Sequence, residues 1–139
     1  QDSDIELRTV DLHVGRLGLG CLDCHAGAGR EEAAAMPPAS KCLECHAETW
    51  RGVDALRPLF TSVELGQPIV WRSLYRLPDH SHFHHGAHAA AGIDCAACHG
   101  DVARMVTTVK AEPMSMAWCL DCHRKAGDPV LTDCSTCHY

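Results

Sequence analysis

Residues 83–99 read FHHGAHAAAGIDCAACH. Two patterns meet in this stretch. His84, His85 and His88 fall within five positions, and Cys95, Cys98 and His99 then form a C-x-x-C-H run. Histidine is an ordinary surface residue when scattered and a metal ligand when crowded. Two cysteines three residues apart lie on one face of a helical turn. Both patterns recur in the chain, and the recurrence decides the reading.

C-x-x-C-H is used five times: Cys21-Leu-Asp-Cys24-His25, Cys42-Leu-Glu-Cys45-His46, Cys95-Ala-Ala-Cys98-His99, Cys119-Leu-Asp-Cys122-His123 and Cys134-Ser-Thr-Cys137-His138. All ten cysteines are consumed. This is the attachment motif of c-type haem. The paired thiols add to two vinyl groups of one porphyrin, and the histidine turns back to the iron as its proximal ligand. Dithiol redox motifs need no following histidine. Zinc knuckles pair two such motifs, and five is an odd number. Disulfides would suit an exported chain. The sequence therefore predicts five covalently attached haem c groups. Cys21, Cys24, Cys42, Cys45, Cys95, Cys98, Cys119, Cys122, Cys134 and Cys137 supply the thioethers. His25, His46, His99, His123 and His138 are the proximal iron ligands.

Six histidines remain: His13, His80, His82, His84, His85 and His88. A six-coordinate iron needs a second axial ligand, so five irons can use five of these six. His13, His85 and His88 are expected as distal ligands. His80, His82 and His84 are further candidates; they could instead contact haem propionates or solvent. Met36, Met105, Met114 and Met116 are sulfur alternatives, though such methionines more often pack on a porphyrin face. Bis-histidine ligation predicts potentials low relative to His/Met haems.

Composition points the same way. The chain has 139 residues and a formal net charge of −6. Its nine Arg and three Lys are scattered, which excludes a nucleic-acid partner of the usual basic kind. Bulky core formers are few: three Trp, two Tyr and two Phe. A chain this poor in large apolar side chains needs something else to pack around. Five haems leave about 28 residues for each, so the expected core is the stacked haems themselves, and folding should depend on their attachment. The arginines suit pairing with haem propionates. No apolar run of 18 residues is present, so no transmembrane segment is expected. A chain starting at Gln1 fits a mature, exported protein.

The expected fold is mostly irregular, with short α-helices at the haem motifs and little strand. Residues 1–52 form a two-haem segment, 53–76 a haem-free connection and 77–139 a three-haem segment, together one compact domain. Trp71, Phe60 and Tyr75 are expected to cover haem faces. "HVGRLGLGCLDCHAG" from His13 and "HAAAGIDCAACHG" from His88 suggest an internal repeat. Each has a histidine seven or eight residues before the first Cys, with a Gly between. Seven prolines chop the chain. "REEAAAM" reads as a helical turn, "IVWRSLYRL" as a strand or an extended wrap, and "IELRTVDLHV" as the site of two adjacent strands.

The stretch "FHHGAHAAAGIDCAACHG" resembles the class III multihaem cytochromes, in which such a histidine pair serves two different haems. On that likeness Phe83 packs on haem, and His85 and His88 are the pair. "PPASKCLECH", "GQPIVWRSLYRLPDHSHFHHGAH", "EPMSMAWCLDCHR" and "LTDCSTCH" are similar to the pentahaem subunit of Alternative Complex III, a bacterial quinol:electron-acceptor oxidoreductase. The resemblance spans nearly the whole chain. It implies a periplasmic subunit that hands electrons to carriers or an oxidase. Three departures stand out. That family normally carries an N-terminal membrane helix. It shows a histidine pair before the first haem motif, and here His13 keeps the second position while Val10 takes the first. His80, His82 and His84 stand where the family has other residues, and they are expected to replace the lost ligand, from this chain or a neighbouring protomer.

The functional expectation is a periplasmic or extracellular electron relay, from a quinol-oxidising membrane complex to downstream acceptors, with no catalytic side chain. The expected partners are redox proteins, including such a complex. Two alternatives stand beside it. One is a self-assembling cytochrome filament, a homo-oligomer in which histidines cross between protomers. The other is a small multihaem reductase with one open iron.

Overall fold

The computed structural model describes residues 10–139. Among them the chain is helical and has no strand. Seven short α-helices are joined by irregular segments: α1 (Cys21–Cys24), α2 (Ala39–His46), α3 (Arg57–Leu65), α4 (His85–Ala90), α5 (Ala96–His99), α6 (Met116–Ala126) and α7 (Cys134–Cys137). A wide π-type turn covers Asp11–Arg16, and tight 3₁₀ turns cover Ala26–Gly29, Asp54–Leu56, Val102–Arg104 and Pro129–Thr132. No helix among the described residues is long and apolar enough to cross a membrane.

All five C-x-x-C-H motifs sit on helices, and local capping explains why. The Asp23 carboxylate accepts from Gly20 N–H at 2.7 Å to open α1. Asp94 accepts from Ala96 N–H at 2.8 Å before α5, and Ser115 from Trp118 N–H at 3.2 Å before α6. Asp133 takes Ser135 N–H at 2.9 Å to start α7. Each side-chain oxygen satisfies an N–H that the first turn would leave unpaired. Gly66 and Gly127, both left-handed, end α3 and α6.

Two elements differ from the sequence expectation, and a third, left open between strand and extended wrap, is not a strand. "REEAAAM" is bent, not helical. Its carbonyls turn outward to serve a distant segment, as the next subsection shows. "IVWRSLYRL" runs extended without a strand partner. Of "IELRTVDLHV", residues 5–9 lie outside the described residues, and the remainder enters the π-type turn instead of a strand.

The segments are joined by close backbone approach rather than by side-chain packing. The π-type turn lies on the Val102–Arg104 turn, where Gly15 abuts the Ala103 carbonyl with no room for a side chain. The Ala26–Gly29 turn lies on α4. There a Cβ on Gly86 would stand 2.6 Å from the Arg30 carbonyl carbon. Helices α2 and α3 pack together and bury Ala39, Leu59 and Phe60. Those three are the whole buried apolar set among the described residues. The chain exposes 10208 Å², whereas a compact chain of this mass exposes roughly 7,100 Å². The polypeptide is thus an open shell with little apolar core of its own among the described residues.

Candidate functional site

The imidazoles are oriented by backbone carbonyls. His25 Nδ1 donates to Ala35 O at 2.8 Å, His123 Nδ1 to Leu131 O at 2.8 Å and His138 Nδ1 to His80 O at 2.8 Å. His85 Nδ1 donates to Glu32 O at 2.9 Å, and His88 Nδ1 to His84 O at 2.9 Å. A carbonyl only accepts, so the proton in each ring is on Nδ1 and the Nε2 lone pair is available. This is the arrangement that fixes a metal-ligating histidine. His84 is the opposite case. Its Nδ1 accepts from Ala87 N–H at 3.1 Å, so a neutral ring carries its proton on Nε2 and has no lone pair left there. Sequence reasoning set His84 behind His85 and His88 but could not give its tautomer, which is set by the turn.

Ring spacing then sorts the histidines into pairs. His13 and His46 have centroids 6.0 Å apart, His85 and His99 6.4 Å, and His88 and His123 6.0 Å. The last two pairs are near parallel, at 11° and 26°. Near-parallel rings at this distance are too far apart to touch face to face. Two imidazoles bound at about 2 Å on opposite sides of one metal place their centroids about 6 Å apart. In all three pairs, one member follows a C-x-x-C and the other comes from the spare set.

The remaining candidates behave differently. The His80 ring stands 5.6 Å from that of His138. His80 also accepts the His138 Nδ1 proton through its own carbonyl. The His82 ring stacks on Tyr139 at 4.1 Å, and its Nδ1 lies 3.8 Å from a Glu32 carboxylate oxygen. Phe83 contacts both His85 and His88, at 4.7 and 4.4 Å. Tyr75 stands edge-on to His99 at 4.9 Å, while its hydroxyl accepts from Ala111 N–H. Phe60 is in the small buried cluster with Arg51 over its ring, and Trp71 lines a cleft beside Met36 and Pro38.

Thiol neighbours link the motifs. Burial, then Cys24, pushes the Cys42 thiol up; burial, then Cys95, which also hydrogen-bonds to it, pushes Cys21 up. Cys98 is raised by burial and then by Cys122 and Cys119, and Cys119 by burial and then by Cys137. Neighbouring thiols thus belong to the second and first, the first and third, the third and fourth, and the fourth and fifth motifs. Burial, then His85 and His25, holds His99 below the ordinary imidazole range, which keeps that ring neutral near pH 7 with its lone pair free.

A porphyrin iron fits these residues. The ring pairs leave space for a metal, the carbonyls fix the required tautomer, and the shell lacks an apolar filling. His46 Nδ1 is buried without a hydrogen-bond partner, so it does not share the carbonyl anchor of His25, His85, His88, His123 and His138. No protein-family model matches the chain, and no curated protein matches it in sequence.

Proposed function

We propose that this protein is a pentahaem c-type cytochrome that relays electrons. The observation that carries the reading is the pairing: three C-x-x-C-H histidines each face a spare imidazole about 6 Å away, and every cysteine belongs to such a motif. Cysteines 21/24, 42/45, 95/98, 119/122 and 134/137 would hold the five haems, with His25, His46, His99, His123 and His138 proximal. His13, His85 and His88 are the distal ligands of the second, third and fourth motifs. At the fifth, His80 and His82 are the imidazoles at hand. His84 caps α4.

Haem supplies reversible one-electron oxidation of iron when bound. The chain's residues do the rest. Carbonyls of Ala35, Leu131 and His80 orient the proximal rings and raise their basicity through the Nδ1–H bond. Tyr75 and Phe83 shield His99, His85 and His88 from water. No side chain is required to move a proton. The resemblance to the pentahaem subunit of Alternative Complex III supports a place beside a quinol-oxidising membrane complex in the periplasm.

Pyridine haemochrome quantitation with intact mass, followed by redox titration, tests this reading. The expected result is five covalent haems per chain, with most potentials in the low bis-histidine range. Stoichiometric zinc, or thiols that remain free after maturation, would overturn it.

A further inference from the structure

The first haem motif stands apart. His25 is held through Ala35, as His123 and His138 are through Leu131 and His80, yet among the described residues no imidazole stands opposite it. The spare imidazoles are committed elsewhere. His13, His85 and His88 face other motifs. His84 caps α4. His80 and His82 lie at the fifth motif, where His82 N–H donates to Cys137 O.

An internal repeat shows which ligand is missing. Gly18 and Gly92 each precede the first cysteine of a motif by three residues, and both are left-handed, with φ of 70° and 74°. The next residue folds back in both copies: Leu19 N–H donates to His13 O at 3.0 Å, and Ile93 N–H to His88 O at 3.1 Å. His13 is thus the counterpart of His88. The N-terminal copy has one extra residue between histidine and glycine, and its π-type turn over Asp11–Arg16 absorbs it. The pairing obeys the same rule in both copies. His88 faces the histidine of the motif after next, His123, and His13 likewise reaches past the nearest motif to His46. His85, three residues before His88, faces the nearest motif's own His99. Three residues before His13 stands Val10, in helical conformation. It occupies the place from which His25's haem would receive its distal ligand.

Met36 lines a cleft with Leu22, Cys24 and Ala26, and it follows Ala35, whose carbonyl holds the Nδ1 side of His25. The Met105 methyl lies against Gly100, next to His99.

Resting on the haem reading above, we propose that the haem of Cys21, Cys24 and His25 has an open sixth position walled by Val10, and that it binds small neutral diatomic ligands such as carbon monoxide. Valine offers no hydrogen-bond donor, which disfavours anionic ligands relative to neutral ones.

The test is carbon monoxide titration of the dithionite-reduced holoprotein, with spin-quantified EPR of the oxidised form. The haem count itself comes from pyridine haemochrome, so failure of the cofactor reading is distinguished from failure of this one. The native protein is expected to bind carbon monoxide and to show a high-spin signal. Val10→His should bind one equivalent fewer and gain one low-spin haem. Val10→Met should also lose that equivalent and gain a sulfur–iron charge-transfer band. Five covalent haems, all low-spin and inert to carbon monoxide in the native protein, would overturn the proposal, whether a methionine or a neighbouring copy's imidazole takes the position. Carbon monoxide uptake unchanged in both variants would overturn it equally.

Discussion

His85 Nδ1 donates to the carbonyl of Glu32, 53 residues earlier, at 2.9 Å. One bond joins the two cysteine-bearing halves and sets the tautomer of an imidazole that faces His99. Glu32 contributes through its backbone, so its side-chain identity matters little there. The bend at Glu31–Ala33 presents that carbonyl, and a regular helix through "REEAAAM" would have spent it on its own ladder.

His88→Ala should unmask one iron. His88 faces His123 at 6.0 Å, and the variant removes one axial ligand without touching a thioether. The expected outcome is five haems by haemochrome, one additional high-spin signal by EPR and one additional equivalent of carbon monoxide bound on reduction. A second haem losing its low-spin character would show that the His85 pair depends on the same turn.

His84→Ala separates a cap from a ligand. His84 Nδ1 takes the Ala87 N–H, and losing a capping acceptor costs roughly 1 kcal/mol. Thermal unfolding should fall by a few degrees, and His84→Asn should restore most of it. The spin state of all five haems should be the same in both variants. A new high-spin signal in His84→Ala alone would make this residue a ligand after all.

The motifs were fully legible in the sequence, because thioether chemistry demands adjacent residues. So were the helices that carry them, once Asp94, Ser115 and Asp133 are read as caps. The pairing of distal imidazoles was only half legible. His13, His85 and His88 stand out by count and spacing, but which ring faces which depends on contacts between segments 14 to 35 residues apart. His84 is alike in type and neighbourhood to His85, and only the direction of one backbone N–H divides them. The π-type turn at Asp11–Arg16 absorbs the one-residue difference between the two copies, and the Leu19 and Ile93 hydrogen bonds give the same alignment of Val10 with His85 as the letters do.

Gly86→Ala should destabilise the holoprotein. A Cβ there would meet the Arg30 backbone at 2.6 Å, and neither strand of chain can yield without moving His85 or its Glu32 anchor. Overpacking of this kind costs about 1–3 kcal/mol, or a drop of roughly 5–10 °C in Tm. Ala87→Gly, one residue on and exposed, serves as the comparison and should change Tm by less.

Withholding haem should leave no folded chain. Only Ala39, Leu59, Phe60 and Gly86 are buried among the described residues, and no cysteine there is in a disulfide. Conformational entropy costs about 1–2 kcal/mol per ordered residue for the backbone alone, and three buried side chains offset only a few kcal/mol. Expressed without the haem-attachment machinery, the protein should give the far-UV circular dichroism of an unfolded chain and exchange its amide hydrogens without protection. Cooperative thermal unfolding of that haem-free chain would mean that the polypeptide holds a core of its own.

The start of α7 should carry a small acid-sensitive contribution. Hydrogen bonds from the Ser135 hydroxyl and then its backbone N–H hold the Asp133 carboxyl below its ordinary range. The folded chain therefore releases this proton more readily than the unfolded one. The stabilisation is present above the unfolded carboxyl value of 3.8 and fades as pH falls through the lower folded one. Asp133→Asn removes the titration while keeping an acceptor for the Ser135 N–H. Its stability relative to the native protein should be lower at pH 6 and converge with it as the solution is acidified. A difference independent of pH between 6 and 2 would show that the charge plays no part, and that the cap acts through its hydrogen bonds alone.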